Sequence, residues 1–245
     1  MKTKTKRNLA KVAGILLVAI ILLLADAYSG DPVTRFWANN SAVAHAEKLY
    51  PNQTFTVVNS FGGQKFRYGV EVQSADDEDT TFQVKTFLGF VTGDNHEETV
   101  ESRVVTQNRM GDALTAEARD LLLANAPTLN FPSGDEPRQI CFVTLGYDPE
   151  TNQSTDAYND ALTPGMSCET GLVKQIPSKL AVLLQSPAPS QEELTAALST
   201  VKQVMEAGGM PFAYYEVTII PDSGTYEEQR ALLVESGAVA AETIP

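Results

Sequence analysis

Three spacings of apolar residues divide this chain into its elements. The first is an unbroken apolar run over residues 12–25. The second has a period of three to four: Val33, Phe36, Trp37, Val43, Ala46, Leu49 and Tyr50 recur at helical spacing. Gly30-Asp31-Pro32 separates the two, with Asp31 as N-cap and Pro32 at the first helical position, and Pro51 stops the helix. The third spacing is alternation. Residues 53–61 read as a strand, 65–74 as a second with Phe66, Tyr68, Val70 and Val72 on one face, and 80–90 as a third through Phe82, Val84 and Thr86. Gly62-Gly63 and the run ADDED at 75–79 supply the turns. Helical spacing returns over residues 97–125, with a break near Gly111 and a stop at Ala126-Pro127. This half is read as α-β-β-β-α, a helix on an antiparallel meander.

Residues 128–137 are rich in Pro, Gly and acid and are taken as the domain boundary. A buried strand comes next at 139–145. Residues 148–171 lack periodicity and read as a long surface loop. Beyond it lie a strand at 180–185 and a helix capped by Ser190 and Glu193. Leu194, Leu198, Val201 and Met205 line one face of that helix, and Gly208-Gly209 ends it. A strand at 210–220 and a short helix opened by Thr225 and Glu228 complete the chain. The order β-β-α-β-α predicts a second two-layer unit. The fold class is α+β, with domains over 31–126 and 137–245.

The leader addresses these domains. Lys2, Lys4, Lys6, Arg7 and Lys11 precede the apolar run, an order that sends the downstream chain across a membrane with the N-terminus cytoplasmic. Residues 12–25 alone make about 21 Å of helix, signal-peptide length, and Ala25-Asp26-Ala27 has the small-x-small form of a cleavage site. Extended to 9–27, with Lys11 reaching back to the interface, the span is about 28 Å and can anchor. The reading is a basic cytoplasmic segment at 1–8 and a membrane anchor at 9–27, with release after Ala27 as the alternative. Five of 18 cations lie in residues 1–11, which hold no acid. The remaining chain therefore sets 13 cations against 31 acids, a net −18. A domain so acidic is not a nucleic-acid binder. Its expected partners are the bilayer, through residues 9–27, and an envelope protein or peptide.

Candidate chemistry is sparse. The two histidines, His45 and His96, fall in different elements without a ligand pattern and are expected as solvated surface groups. Asp148, Glu150, Asn152, Ser154 and Asp156 alternate like a calcium loop, but Gln153 and Asn159 occupy the places of its Gly and Glu. Cys141 and Cys168 are open to pairing or to life as small buried hydrophobes. Asn39, Asn52 and Asn152 begin N-x-S/T sequons. No nucleophile signature or phosphate-binding glycine motif occurs, so no catalytic, cofactor or metal residue is assigned. Phe36 and Trp37, just past the leader, are read either as interfacial aromatics or as packing on the meander.

Asp26-Ala27 closing the leader, Gly30-x-Pro32-Val33, and a helix ending in Leu49-Tyr50-Pro51 form a pattern. Tyr68-x-Val70-x-Val72-x-Ser74 before Asp79-Thr80-Thr81-Phe82 extends it, as does the run from Leu180 through the Ser190 helix to Pro211-Phe212. Together they resemble the YfjL-like proteins, a family of single-span bacterial membrane proteins. Thr81 stands where that family has His, and its Asp-x-Tyr is absent near Asp94. The resemblance implies a membrane-tethered exported domain and assigns no activity or site. The expected function is a non-catalytic envelope interaction or sensing module, the alternatives being a carboxylate-dependent hydrolase using the 148–160 loop and a secreted protein freed after Ala27.

Overall fold

A computed structural model describes residues 14, 16–18, 32–63, 66–132 and 140–245. The basic segment, the cleavage triplet and the predicted span, apart from helical Gly14 and 16–18, lie outside the described residues. So do Gly30-Asp31 and residues 133–137 of the predicted boundary. Among the described residues no helix is long and apolar enough to cross a membrane. The rest is α+β, in two packing units, residues 1–101 and 102–245.

In the first unit, α1 (Pro32–Leu49) covers one face of a four-stranded antiparallel sheet ordered β1 (Phe55–Gly62), β2 (Arg67–Ser74), β3 (Thr81–Phe87) and β4 (Phe90–Asp94). Alternation places Tyr68, Val70, Val72, Phe82 and Val84 against the helix. The helix answers with its small side chains. Thr34, Ala38, Ala42 and Ala46 are the buried stripe, spaced four apart so that the backbone can lie close to the sheet. The larger apolar residues Val33, Phe36, Trp37 and Leu49 face outward, which corrects the face expected from hydrophobic periodicity.

A fourth strand, which begins at the last residue of the run expected as one, is the second correction. Leu88 and Gly89 both have positive φ, 50° and 80°, and join β3 to β4 as a two-residue turn with Phe87 opposite Phe90.

The second unit stacks α2 (Val104–Asn125) and α3 (Gln191–Ala207) on a sheet containing β5 (Cys141–Leu145), β8 (Ser178–Ser186), β9 (Tyr214–Pro221) and β10 (Val234–Glu235). Strands β8 and β9 are parallel, with α3 in the connection, while β5 and β10 run antiparallel to their neighbours; β11 (Val239–Ala240) also pairs with β9. Met110, Leu114, Ala118 and Leu122 of α2 share one core with Val143, Leu180, Val201, Met205 and Tyr215. Helix α2 thus packs with the second unit instead of closing the first. It also runs unbroken through Gly111. The interruption lies earlier, where a π-helical turn over Glu97–Glu101 ends and Arg103 adopts φ 59°.

The stretch read as a surface loop is largely exposed, but it is tied down: it carries most of the hairpin of β6 (Tyr147–Asp148) and β7 (Gln153–Ser154) and buries Asn159 and Leu162, with Leu172 and Val173 buried just beyond it. Ser190 and Thr225 cap α3 and α4 (Tyr226–Leu232), Thr225 in a complete capping box.

Candidate functional site

The chain's two histidines meet on one carboxylate. His45 projects from α1 on the side of the Ala42–Ala46 stripe, Asp94 ends β4, and His96 opens the next turn. His45 Nε2 lies 2.7 Å from Asp94 Oδ2. On the other side Asp94 Oδ1 contacts His96 Nδ1 and accepts the His96 backbone N–H at 3.1 Å. An ionised carboxylate only accepts, so the ring proton sits on Nε2 of His45 and Nδ1 of His96. Burial raises the Asp94 pKa, but the hydrogen bonds from both rings and from the backbone outweigh it and hold the group at about 2. Tyr50 packs edge-on to His96 with ring centroids 6.4 Å apart, and its own pKa is raised by burial and by Glu101 and Asp94.

The two histidines are therefore half-buried and coupled, which corrects the solvated placement expected for them. Chemically the trio is a clamp. Each nitrogen facing Asp94 is engaged with a carboxylate oxygen, and no hydroxyl or thiol is hydrogen-bonded to either ring among the described residues. Nor do three His, Cys, Asp or Glu groups converge as metal ligands among the described residues. The clamp ties the end of α1 to the end of β4.

A groove of about 560 Å³ opens on the face of the sheet turned away from α1. Its walls are Phe61 of β1 and Phe87 of β3. Gly69 forms the floor, where an added β-carbon would meet the Phe61 ring at 2.5 Å. Gly69 is paired with Phe61 on one side and Lys85 on the other, and Arg67 with Phe87. Arg67 and Lys85 are the charged lining residues, and both are exposed. An apolar slot with two cations in so acidic a chain can hold an anionic amphiphile; among its described lining residues there is no paired acid and base.

The second unit offers polar structure instead. Gln107 Nε2 donates to Leu145 O, Ser154 Oγ and Thr155 O at 2.9, 2.9 and 3.0 Å, pinning the β6–β7 hairpin to α2 and β5. The residues of the calcium-like run serve that hairpin. Asp148 accepts from Glu150 N and Thr151 Oγ1. Asn152, at φ 55°, accepts from Tyr147 Oη and from Lys179 Nζ, which also pairs with Glu216 at 2.7 Å. In the groove beside the hairpin, Asp112 is the one lining carboxylate among the described residues. A two-carboxylate hydrolase would need a second. Cys141 and Cys168 are free thiols, directed at the carbonyls of Thr115 and Met110.

Residues 5–95 match the family model described as YfjL-like, N-terminal domain. The resemblance expected over most of the chain is thus found over this part, which contains the groove and, of the clamp, His45 and Asp94. No curated protein matches the chain. Among solved structures it is similar to a DUF5037 family protein from Ruminococcus gnavus ATCC 29149, at 7% identity over 79% of this chain and 77% of that one, with a TM-score of 0.23.

His45 and Asp94 escaped sequence reasoning because the strand that brings them together did. The usable signal was local: His45 neighbours the alanine stripe on the helical wheel, so it borders the buried face.

Proposed function

We propose that this chain is a membrane-anchored extracytoplasmic binding module, with residues 9–27 as the span and the N-terminus cytoplasmic. It holds a ligand and does not transform one. The observation that carries the reading is the groove between Phe61 and Phe87: aromatic walls, a glycine floor and two cations, with no acid–base pair among the described lining residues. The charge order of the leader supports the anchor. The ligand class that fits is an anionic amphiphile.

Two measurements test this. Alkaline extraction of membranes should leave the full chain in the pellet with its N-terminus intact, and protease added outside the cell should degrade residues beyond 31. A soluble chain beginning after Ala27 would refute the anchor. In neutral detergent, the full chain should bind dodecyl phosphate, and Arg67→Glu with Lys85→Glu should abolish that binding. Equal binding by wild type and variant would remove the groove from the function.

A further inference from the structure

We infer that the end of the first unit carrying Trp37 is a seating surface for an anionic bilayer. There Phe36, Trp37, Leu88 and Phe90 enter the headgroup region, and Arg67 and Lys85 pair with lipid phosphates. The inference rests on the anchored reading above and names the source of the amphiphile as the lipid itself.

The argument begins with exposure. Val33, Phe36 and Trp37 of α1 are 53, 63 and 57% exposed, and Phe87, Leu88 and Phe90 at the β3–β4 turn are 43, 42 and 75% exposed. These belong to one rim. The turn lies against the helix at Trp37, because a β-carbon on Gly89 would fall 2.9 Å from the Trp37 β-carbon. Phe87 is paired with Phe90 across the hairpin and with Arg67 on its other side, which leads from the rim into the groove. Exposed apolar side chains on the turn and on the helix segment beside it mark a contact surface.

The leader says what covers it. Pro32 comes five residues after Ala27, so the start of α1 lies at most about 18 Å from the outer end of the span. That places the aromatic rim beside the interface where tryptophan and phenylalanine settle. Charge selects the lipid. Against a net −18 beyond residue 11, the groove opening from the rim is lined by Arg67 and Lys85, with Glu71 one register step away, opposite Gln83. An anionic leaflet attracts that end and repels the rest of the domain.

Trp37 is the chain's one tryptophan, so its fluorescence reads this surface alone. The full chain would be reconstituted into vesicles of phosphatidylcholine with and without phosphatidylglycerol. Bromines placed near the headgroup end of the acyl chains should quench Trp37. Acrylamide should quench it several-fold less than in neutral detergent, and more strongly protected emission is expected with phosphatidylglycerol. Phe90→Ser should lose most of that protection, and Phe87→Ser with Phe90→Ser the rest. Arg67→Glu with Lys85→Glu should remove the dependence on phosphatidylglycerol. Trp37 fully open to acrylamide in a chain that resists alkaline extraction would overturn the seating and leave the anchor standing. Release at alkaline pH would overturn the anchor and the seating with it. Phe90→Ser, at a position 75% exposed, keeps the test valid if the double variant fails to fold.

Discussion

Gly89 sits so close to Trp37 that a β-carbon built on it would lie 2.9 Å from the Trp37 β-carbon and 3.6 Å from its carbonyl carbon. The same glycine has φ 80°, so an alanine there meets both a backbone penalty and a helix it cannot push aside. Gly89→Ala is expected to cost about 1–3 kcal/mol. Urea unfolding should show a lower midpoint with an unchanged slope. An unshifted midpoint would mean that the turn is not in contact with α1.

Asp94 gives the first unit an acid-labile bond. Its pKa in the folded chain is about 2 against an ordinary 3.8. A depressed carboxyl contributes stability that is complete above the unfolded value and is lost as the pH falls toward the folded one. The wild type should therefore lose stability between about pH 4 and pH 2 relative to Asp94→Asn, which lacks the titrating group. Denaturant midpoints measured across that range for both proteins provide the check. Parallel curves would sink the clamp.

Helix α1 presents its alanines inward, and this predicts an inverted pattern of tolerance. Ala42→Leu adds volume to the fully buried core between the helix and the sheet and is expected to cost about 1–3 kcal/mol. Phe36→Ser removes a side chain 63% exposed, so the change should stay within about 0.5 kcal/mol in detergent. Thermal melts of the two variants should fall in that order. The reverse order would restore the aromatic face as the packed one.

Gln107 is buried, and the two N–H groups of its amide are shared among three acceptors. The Leu145 carbonyl still accepts from Ser154 Oγ at 2.9 Å when that amide is removed, so Gln107→Ala should cost about 0.5–1.5 kcal/mol. The loss should be local. Hydrogen exchange is expected to accelerate across residues 147–155 more than in β8 and β9. Uniform acceleration over the whole unit would argue against a hairpin tie.

Burial drives the Cys141 thiol up to about 12, and Arg119 offsets this only in part. Cys168 is also raised, chiefly by burial and by Glu117, but it is half-buried where Cys141 is enclosed. A thiol reagent at pH 8 should label Cys168 first and reach Cys141 only on unfolding. Equal labelling rates in the native protein would contradict the burial of Cys141.

Much of the fold was legible along the chain because the signals are local. Pro32 and Pro51 bound a helix, Thr225 with Glu228 caps another, and Tyr68, Val70 and Val72 alternate on one face; each needs only near neighbours. Interactions that join distant residues were not legible. Leu88-Gly89 is a turn because Leu88 accepts positive φ, which a leucine does not advertise, and with that turn went β4, Asp94 and the convergence of the two histidines. The face of α1 was settled by the sheet, which selected Ala38, Ala42 and Ala46 for close approach and turned Phe36 and Trp37 outward. Helix α2 followed the larger apolar surface of β5 and β8 into the second unit. Sequence alone determined the leader's charge order, the acidity, the α+β class and the helix caps, since these depend on composition and on spacings of a few residues. Tertiary structure alone decided the clamp, the groove and the outward aromatics, since each depends on which of two available faces finds a complementary surface.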